Sequence, residues 1–256
     1  MDFQDPTTVL DLSKIRRSLI RMEDTIVFAL IERAQFRRQP SIYTPGAVPI
    51  PGFDGSFMDW ILREEEIVHA KVRRYESPDE IPFFPDALPQ PILPPLEYPV
   101  ILRPHPNKIN INDKIKEFYI DKILPSICKD GEQKDSMGSS ALCDVECLRS
   151  ISRRIHFGRF VAESKFLSET AKMTALIQAR DTDGIEAAIT NAAVEAAVLE
   201  RLRKKAEAYG VDPDLAQVEE AKKLEAEAAV AMYRDWVIPL TKVVEVEYLL
   251  HRLDAE

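Results

Sequence analysis

Fourteen of the 18 prolines in this chain lie between Pro40 and Pro106, and that crowding decides where long helices can run. A proline lacks a backbone N–H and its ring collides with the preceding turn, so the irregular segments around 39–55 and 77–106 are expected to be turned or extended. Only Pro6, Pro125, Pro213 and Pro239 fall elsewhere. Between the two clusters, 56–76 is long enough for one helix, with Trp60, Ile67 and Val68 as its apolar anchors. Glycine is scarce, at 8 in 256 residues, which leaves few tight hairpins and few loops able to cradle a phosphate. Helices are expected wherever the prolines allow them.

Apolar spacing agrees. Leu12, Ile15, Leu19, Met22, Ile26 and Leu30 step by three and four, which predicts a helix over 11–33. A shorter, weaker pattern covers 111–128. A second long helix is expected from Ser139 to about Ser168, with Leu148, Ile151, Ile155 and Phe166 on its stripe. Asp181-Thr-Asp-Gly supplies turn and N-cap chemistry. A further helix over 191–209 stops at Gly210, ahead of Asp212-Pro213. The last, 216–253, should bend or break at Pro239. No period-two stretch competes, so the fold class is all-α, a multi-helix bundle forming a single domain over 1–256.

Composition removes several function classes. Lys plus Arg is 34 and Asp plus Glu 43, a net charge of −9 that opposes general nucleic-acid binding. No apolar run approaches the roughly 18 residues of a membrane span. The N-terminus MDFQDPTTVLDL carries acids where a leader would carry Arg or Lys. Cys128, Cys143 and Cys147 form no Cys-x-x-Cys pair, and His69, His105, His156 and His251 are scattered, so no metal site is expected. A cytoplasmic protein with reduced thiols and no cofactor fits. Nucleotide loops, nucleophile elbows and zincin motifs are absent.

A charged residue on a core-facing stripe is informative, because burying an unpaired charge is expensive. Arg16 lies between Leu12 and Leu19 and should point inward, with Arg17 turned away. Arg154, Val161 and Lys165 follow Ile151 along one line, placing the two cations roughly 16 Å apart on a continuous helix. Asn191 and Glu195 are i, i+4 ahead of Leu199. Thr241 and Glu245 are i, i+4 between Ile238 and Leu249. The same placement also suits structural ion pairs, Arg16 or Arg154 against Glu195 or Glu245. A third possibility, an RNA-binding helix led by Arg153, Arg154 and Arg159, is opposed by the acidic charge.

Six segments together resemble the fungal chorismate mutases, the all-α, allosteric form of the enzyme. They are MDFQDPTTVLDLSKIRRSLIRMEDTI at 1–26, VRRYESPDEIPFFPD at 72–86, MGSSALCDVECL at 137–148, SRRIHFGRFVAESKF at 152–166, ITNAAVEAAVLERL at 189–202 and TKVVEVEYLL at 241–250. The resemblance implies a homodimer converting chorismate to prephenate by a concerted rearrangement, with no nucleic-acid or membrane partner. It implies that Arg16, Arg154, Lys165, Glu195 and Glu245 are catalytic, with Asn191, Thr241 and Val161 contacting substrate. It further implies an effector site at Arg73, Arg74, Gly138 and Ser139, where tyrosine inhibits and tryptophan activates. Leu142 stands where relatives usually carry threonine, so altered tyrosine inhibition is expected. An inactive helical scaffold with the same fold would have damaged this polar set, which is intact. Glu245, partly buried on its stripe, is expected to act protonated, with activity rising towards mildly acidic pH.

Overall fold

The computed structural model describes residues 3–104, 109–211 and 223–254. After a single turn, α1 (Pro6–Val9), the long helix α2 (Leu12–Ala34) starts at Asp11, whose carboxylate accepts from the amides of Ser13 and Lys14. An acceptor there satisfies donors that the first turn leaves unpaired. Ile15, Met22, Ile26 and Leu30 are buried, as the three-and-four spacing requires. The same face also buries Glu23 and Arg33.

Helix α2 packs along α6 (Met137–His156), and α3 (Phe57–Lys71) covers another side of α6. A buried ion pair fastens α2 to α6: Arg33 Nε donates to Asp144 Oδ1 at 2.5 Å, and both side chains are fully covered. Tyr43 and Tyr119 hydroxyls donate to the same carboxylate at 2.6 and 2.8 Å. Helix α3 differs from expectation in its anchors. Met58, Leu62, Glu66 and Ala70 are its buried residues, Trp60 and Ile67 are only half-buried, and Val68 is exposed. The buried Glu66 carboxylate accepts from the Phe83 and Phe84 amides at 2.7 and 2.8 Å. That is how an acid displaces apolar anchors: it ties the proline-rich chain down.

Proline-rich 77–104 carries no long helix, only the short 3-10 turn Pro85–Ala87. His156, buried in α6, accepts from the Ile111 amide through Nε2 at 3.1 Å and faces Ser152 O through Nδ1 at 2.9 Å. Burial and the nearby Arg159 push its pKa down to about 4, so it is a neutral structural imidazole.

The expected helix over 139–168 is two helices, α6 and α7 (Gly158–Ser168), parted at Phe157. The cause lies in the carbonyl of His156. A continuous helix would offer it to the Phe160 amide; it accepts Arg159 Nε at 3.1 Å instead, while Phe160 N turns to Phe157 O at 3.0 Å. Two short helices follow, α8 (Thr170–Gln178) and α9 (Thr182–Ile189), the second capped by Asp181 as its sequence implies. Then comes α10 (Ala192–Tyr209), ending at Gly210. Asp212-Pro213 and the expected start of the last helix lie outside the described residues.

Two prolines act alike. Before Pro125, between α4 (Asn112–Phe118) and α5 (Leu124–Ile127), the chain opens into a π-turn over Tyr119–Ile123. Before Pro239, between α11 (Ala226–Met232) and α12 (Ile238–Leu250), a second π-turn spans Tyr233–Val237. Both carry the pattern Tyr-x-Asp-x-x-Leu/Ile-Pro. The wider turn gives room to the carbonyl that the proline ring would otherwise strike. Each turn aims its tyrosine inward: Tyr119 at Asp144, Tyr233 under Arg154. Among the described residues there is no strand, only an isolated bridge between Ile50 and Phe53. The molecule is all-α, as the proline and glycine distributions imply.

Candidate active site

Helices α6, α7, α10 and α12 bring most of the expected polar set to one region. Arg154, near the end of α6, is buried. Its guanidinium lies over the Tyr233 ring, 5.9 Å from the centroid, and donates to Thr241 Oγ1 at 3.4 Å. Thr241 in turn donates to Val237 O at 2.6 Å, one turn back along the same helical run. Arg154 Nε has no hydrogen-bond partner, and no described carboxylate lies within ion-pair distance of the guanidinium. A buried cation without a counter-ion is costly unless something anionic arrives.

Glu245, one turn beyond Thr241, is 6% exposed and makes no hydrogen bond to another described residue. Burial pushes its pKa up to about 8, against the opposing pull of Arg154 and Lys242, with Glu195 adding to the rise. At neutral pH its carboxyl is therefore mostly protonated and can donate. Gly158 at the head of α7 permits the close approach: a β-carbon there would meet Thr241 Cγ2 at 2.9 Å, and Glu245 Cγ and Thr241 O at 3.1 Å. Any larger residue there would force the two helices apart by a few tenths of an ångström.

Other members stand differently from expectation. Glu195, in the first turn of α10, pairs with Lys242 Nζ at 2.9 Å, so the structural pairing of Arg154 with Glu195 or Glu245 does not occur. Lys165 is half-buried, and its amine engages Glu169 on its own face. Because α6 and α7 are separate helices, Arg154 and Lys165 do not share one straight line. Asn191 is exposed and caps α10, its carboxamide oxygen accepting from Val194 N at 3.1 Å. Val161 packs against the small apolar cluster of Phe157, Phe160 and Ile15. Arg16 does not turn inward: it is exposed, since its stripe partner Leu12 is itself 43% exposed and Leu19 only half-buried. Ile15 takes the buried position, in the cluster with Phe157 and Phe160, and Arg16 is left on the exposed side of α2.

At the expected effector residues, Arg73 and Arg74 line a cavity of about 620 Å³ together with Ser77, Asp79, Glu80 and Arg153. Arg73 has a positive φ of 68° and donates to Pro94 O; Arg74 pairs with Glu80 at 2.9 Å. Gly138 and Ser139 are exposed in the first turn of α6 and do not line this cavity. Arg153 is held by Asp79 at 2.5 Å, and Arg154 and Arg159 point into the protein, which removes the RNA-binding helix. Among the described residues no cluster of ligands could hold a metal ion.

Two participants escaped sequence reading. Tyr233 supplies the floor under Arg154, and the only sign of it is its place six residues before Pro239. Lys242 sits beside Thr241, and its signal is the i, i+3 spacing to Glu245.

A family model for chorismate mutase type II matches residues 138–246. The chorismate mutase of Pichia angusta is 54% identical over 258 residues, covering 100% of this chain and 92% of that protein. The crystal structure of Candida albicans chorismate mutase in complex with L-tryptophan has 54% identity and a TM-score of 0.96, covering 100% of this chain and 97% of that one. The structure of AtCM1 with tyrosine bound in its allosteric site has 43% identity and a TM-score of 0.87, covering 98% and 99%. Identity of this extent over the whole chain, together with a shared helical architecture, places this chain in the chorismate mutase family.

Proposed function

We propose that this chorismate mutase binds its substrate at Arg154, with Thr241, Glu245, Lys165, Glu195, Asn191, Val161 and the exposed Arg16 completing the set. The carrying observation is the buried guanidinium of Arg154, which pairs with no carboxylate among the described residues and lies near Glu245, whose pKa burial pushes up to about 8. Chorismate is a dicarboxylate, and an arginine fork suits a carboxylate in two-point contact.

The reaction breaks a C–O bond while a C–C bond forms, so no nucleophile and no proton transfer are needed. The protein must hold the compact conformer and stabilise charge developing on the ether oxygen. Protonated Glu245 donates a hydrogen bond towards that oxygen without setting a negative charge against it. Lys165 is the second donor, reached by exchanging Glu169 for the substrate. Glu195, held by Lys242 at 2.9 Å, accepts the ring hydroxyl.

Removal of Arg154 tests the assignment. Arg154→Ala is expected to lower kcat/KM for chorismate by roughly 100-fold to 1,000-fold. Its melting temperature should stay close to that of wild type, because an uncompensated buried charge is lost along with its contacts. Near-normal turnover would overturn the site.

The regulatory reading rests on Arg73 and Arg74 at their cavity and on relatives whose structures hold L-tryptophan or tyrosine. We infer a homodimer in which the exposed Gly138 and Ser139 of one subunit face Arg73 and Arg74 of the other, binding the two amino acids as activator and inhibitor. The half-exposed Leu142 offers no hydroxyl there, so weaker or altered tyrosine inhibition is part of the reading. The chain is read as one cytoplasmic domain with free thiols at Cys128, Cys143 and Cys147, and no described helix is long and apolar enough to cross a membrane.

A further inference from the structure

Two acidic side chains face this site and only one of them, Glu195, is in an ion pair. Lys242 Nζ stands 2.9 Å from Glu195 Oε1 and joins α12 to the first turn of α10. The two side chains are 22% and 31% exposed, so this is not the freely solvated kind of pair whose contribution is near zero. Lys242 also lies three residues before Glu245, on the same face of α12. Its charge acts on both carboxyl groups, and Glu195 acts on Glu245 from the other side.

We propose that Lys242 is a positioning residue for the rearrangement: its ammonium holds the Glu195 carboxylate fixed as a hydrogen-bond acceptor and sits one turn from Glu245. This rests on the reading of Glu195 and Glu245 given above. The groups around Glu245 are few. Arg154 approaches from α6, Glu195 from α10 and Lys242 from α12 itself. On α7, Lys165 engages Glu169, Glu163 is held by Arg252 and Tyr248, and Arg159 donates to His156 O and Pro78 O. On α9, Asp183 and Glu186 are exposed, and in the π-turn Arg234 pairs with Asp235. Lys242 is thus the one cation of this set whose charge is shared between the two acids.

Opposite signs follow for the two partners. Removing the ammonium leaves Glu245 protonated to higher pH, whereas removing the Glu195 charge makes it lose its proton sooner. The experiment is kcat/KM and KM for chorismate from pH 5 to 9 in the full-length wild type, Lys242→Met, Glu195→Gln, their double variant and Lys242→Arg. Lys242→Met is expected to move the falling limb up by about one unit and Glu195→Gln to move it down, with the double variant near wild type. KM should rise about tenfold in Lys242→Met, on the order of one lost charged hydrogen bond, with kcat changed much less. Lys242→Arg should restore both. If Lys242→Met folds poorly by circular dichroism, Lys242→Gln carries the same two readouts.

Limbs that coincide in wild type, Lys242→Met and Glu195→Gln, with KM unmoved, overturn the proposal. The underlying reading fails separately: if Glu245→Gln keeps the wild-type limb, Glu245 is not the titrating group, and the KM comparison alone then decides Lys242.

Discussion

The carboxyl of Glu245 shows how burial moves a common side chain's pKa into the range above neutral pH. Its pKa of about 8, raised by desolvation first, exceeds the ordinary 4.5. Activity is therefore expected to hold at mildly acidic and neutral pH and to fall as pH rises through about 8. In Glu245→Gln the amide donates at every pH, so the variant should stay active with a nearly flat profile. A pH–rate comparison of the two proteins checks this. Stability carries the matching sign. Between the unfolded value near 4.5 and the folded value near 8, the folded chain binds the extra proton, so stability contributed by this group falls as pH rises across that window. Glu245→Gln removes that loss and is expected to be more stable than wild type by roughly 3 kcal/mol at pH 7, measured by urea unfolding. An unchanged midpoint would mean that Glu245 is not held protonated by the fold.

Helix ends and interruptions do the positioning at the next scale. Gly158 lets α7 begin against α12, and the π-turn before Pro239 sets Tyr233 beneath Arg154. Gly158→Ala adds a methyl that meets Thr241 Cγ2 at 2.9 Å and the Thr241 carbonyl oxygen at 3.1 Å. The backbone oxygen cannot step aside as a flexible side chain could, so α7 and α12 must separate by a few tenths of an ångström. The expected result is a loss of about 1–3 kcal/mol in stability and a drop in kcat larger than the rise in KM, because Thr241 and Glu245 shift together. Steady-state kinetics beside thermal melts would show it, and wild-type kinetics in a folded Gly158→Ala protein would refute the tight contact.

For the molecule as a whole, the α2–α6 core carries its own buried ion pair, separate from the site. Asp144 is fully buried, and burial raises its pKa while Arg33 and the Tyr43 and Tyr119 hydroxyls hold it down. Asp144→Asn leaves Arg33 charged and without its carboxylate, at an expected cost of about 3–5 kcal/mol. Activity per folded molecule should survive at low temperature, since α2 and α6 meet there away from Arg154 and Glu245. Chemical denaturation with activity measured at 10 °C would separate the two effects. At the same scale, the proposed subunit arrangement predicts a dimer by analytical ultracentrifugation, and activity that responds in opposite directions to tryptophan and tyrosine. A monomer that is fully active and unresponsive to either amino acid would sink the regulatory reading.

Much of this was legible in the residues alone. Proline crowding and scarce glycine impose the helical class, and a three-and-four spacing is a property of the chain that survives any packing, so α2 and α10 lie within a residue or two of where periodicity puts them. Arg154, Thr241 and Glu245 were legible for the same reason: each follows an apolar neighbour on a stripe that ends up buried. Arg16 was not, because a stripe gives direction only relative to its own helix, and the first turn of α2 leaves Leu12 exposed. Nor was the break at Phe157, which depends on a side chain, Arg159, taking a carbonyl from the helix that carries it. Periodicity records which face of a helix is apolar. Whether that face is covered, and which charges end up paired across it, is decided only by other helices arriving, as α12 brings Lys242 to Glu195 while Arg16 is left exposed among the described residues.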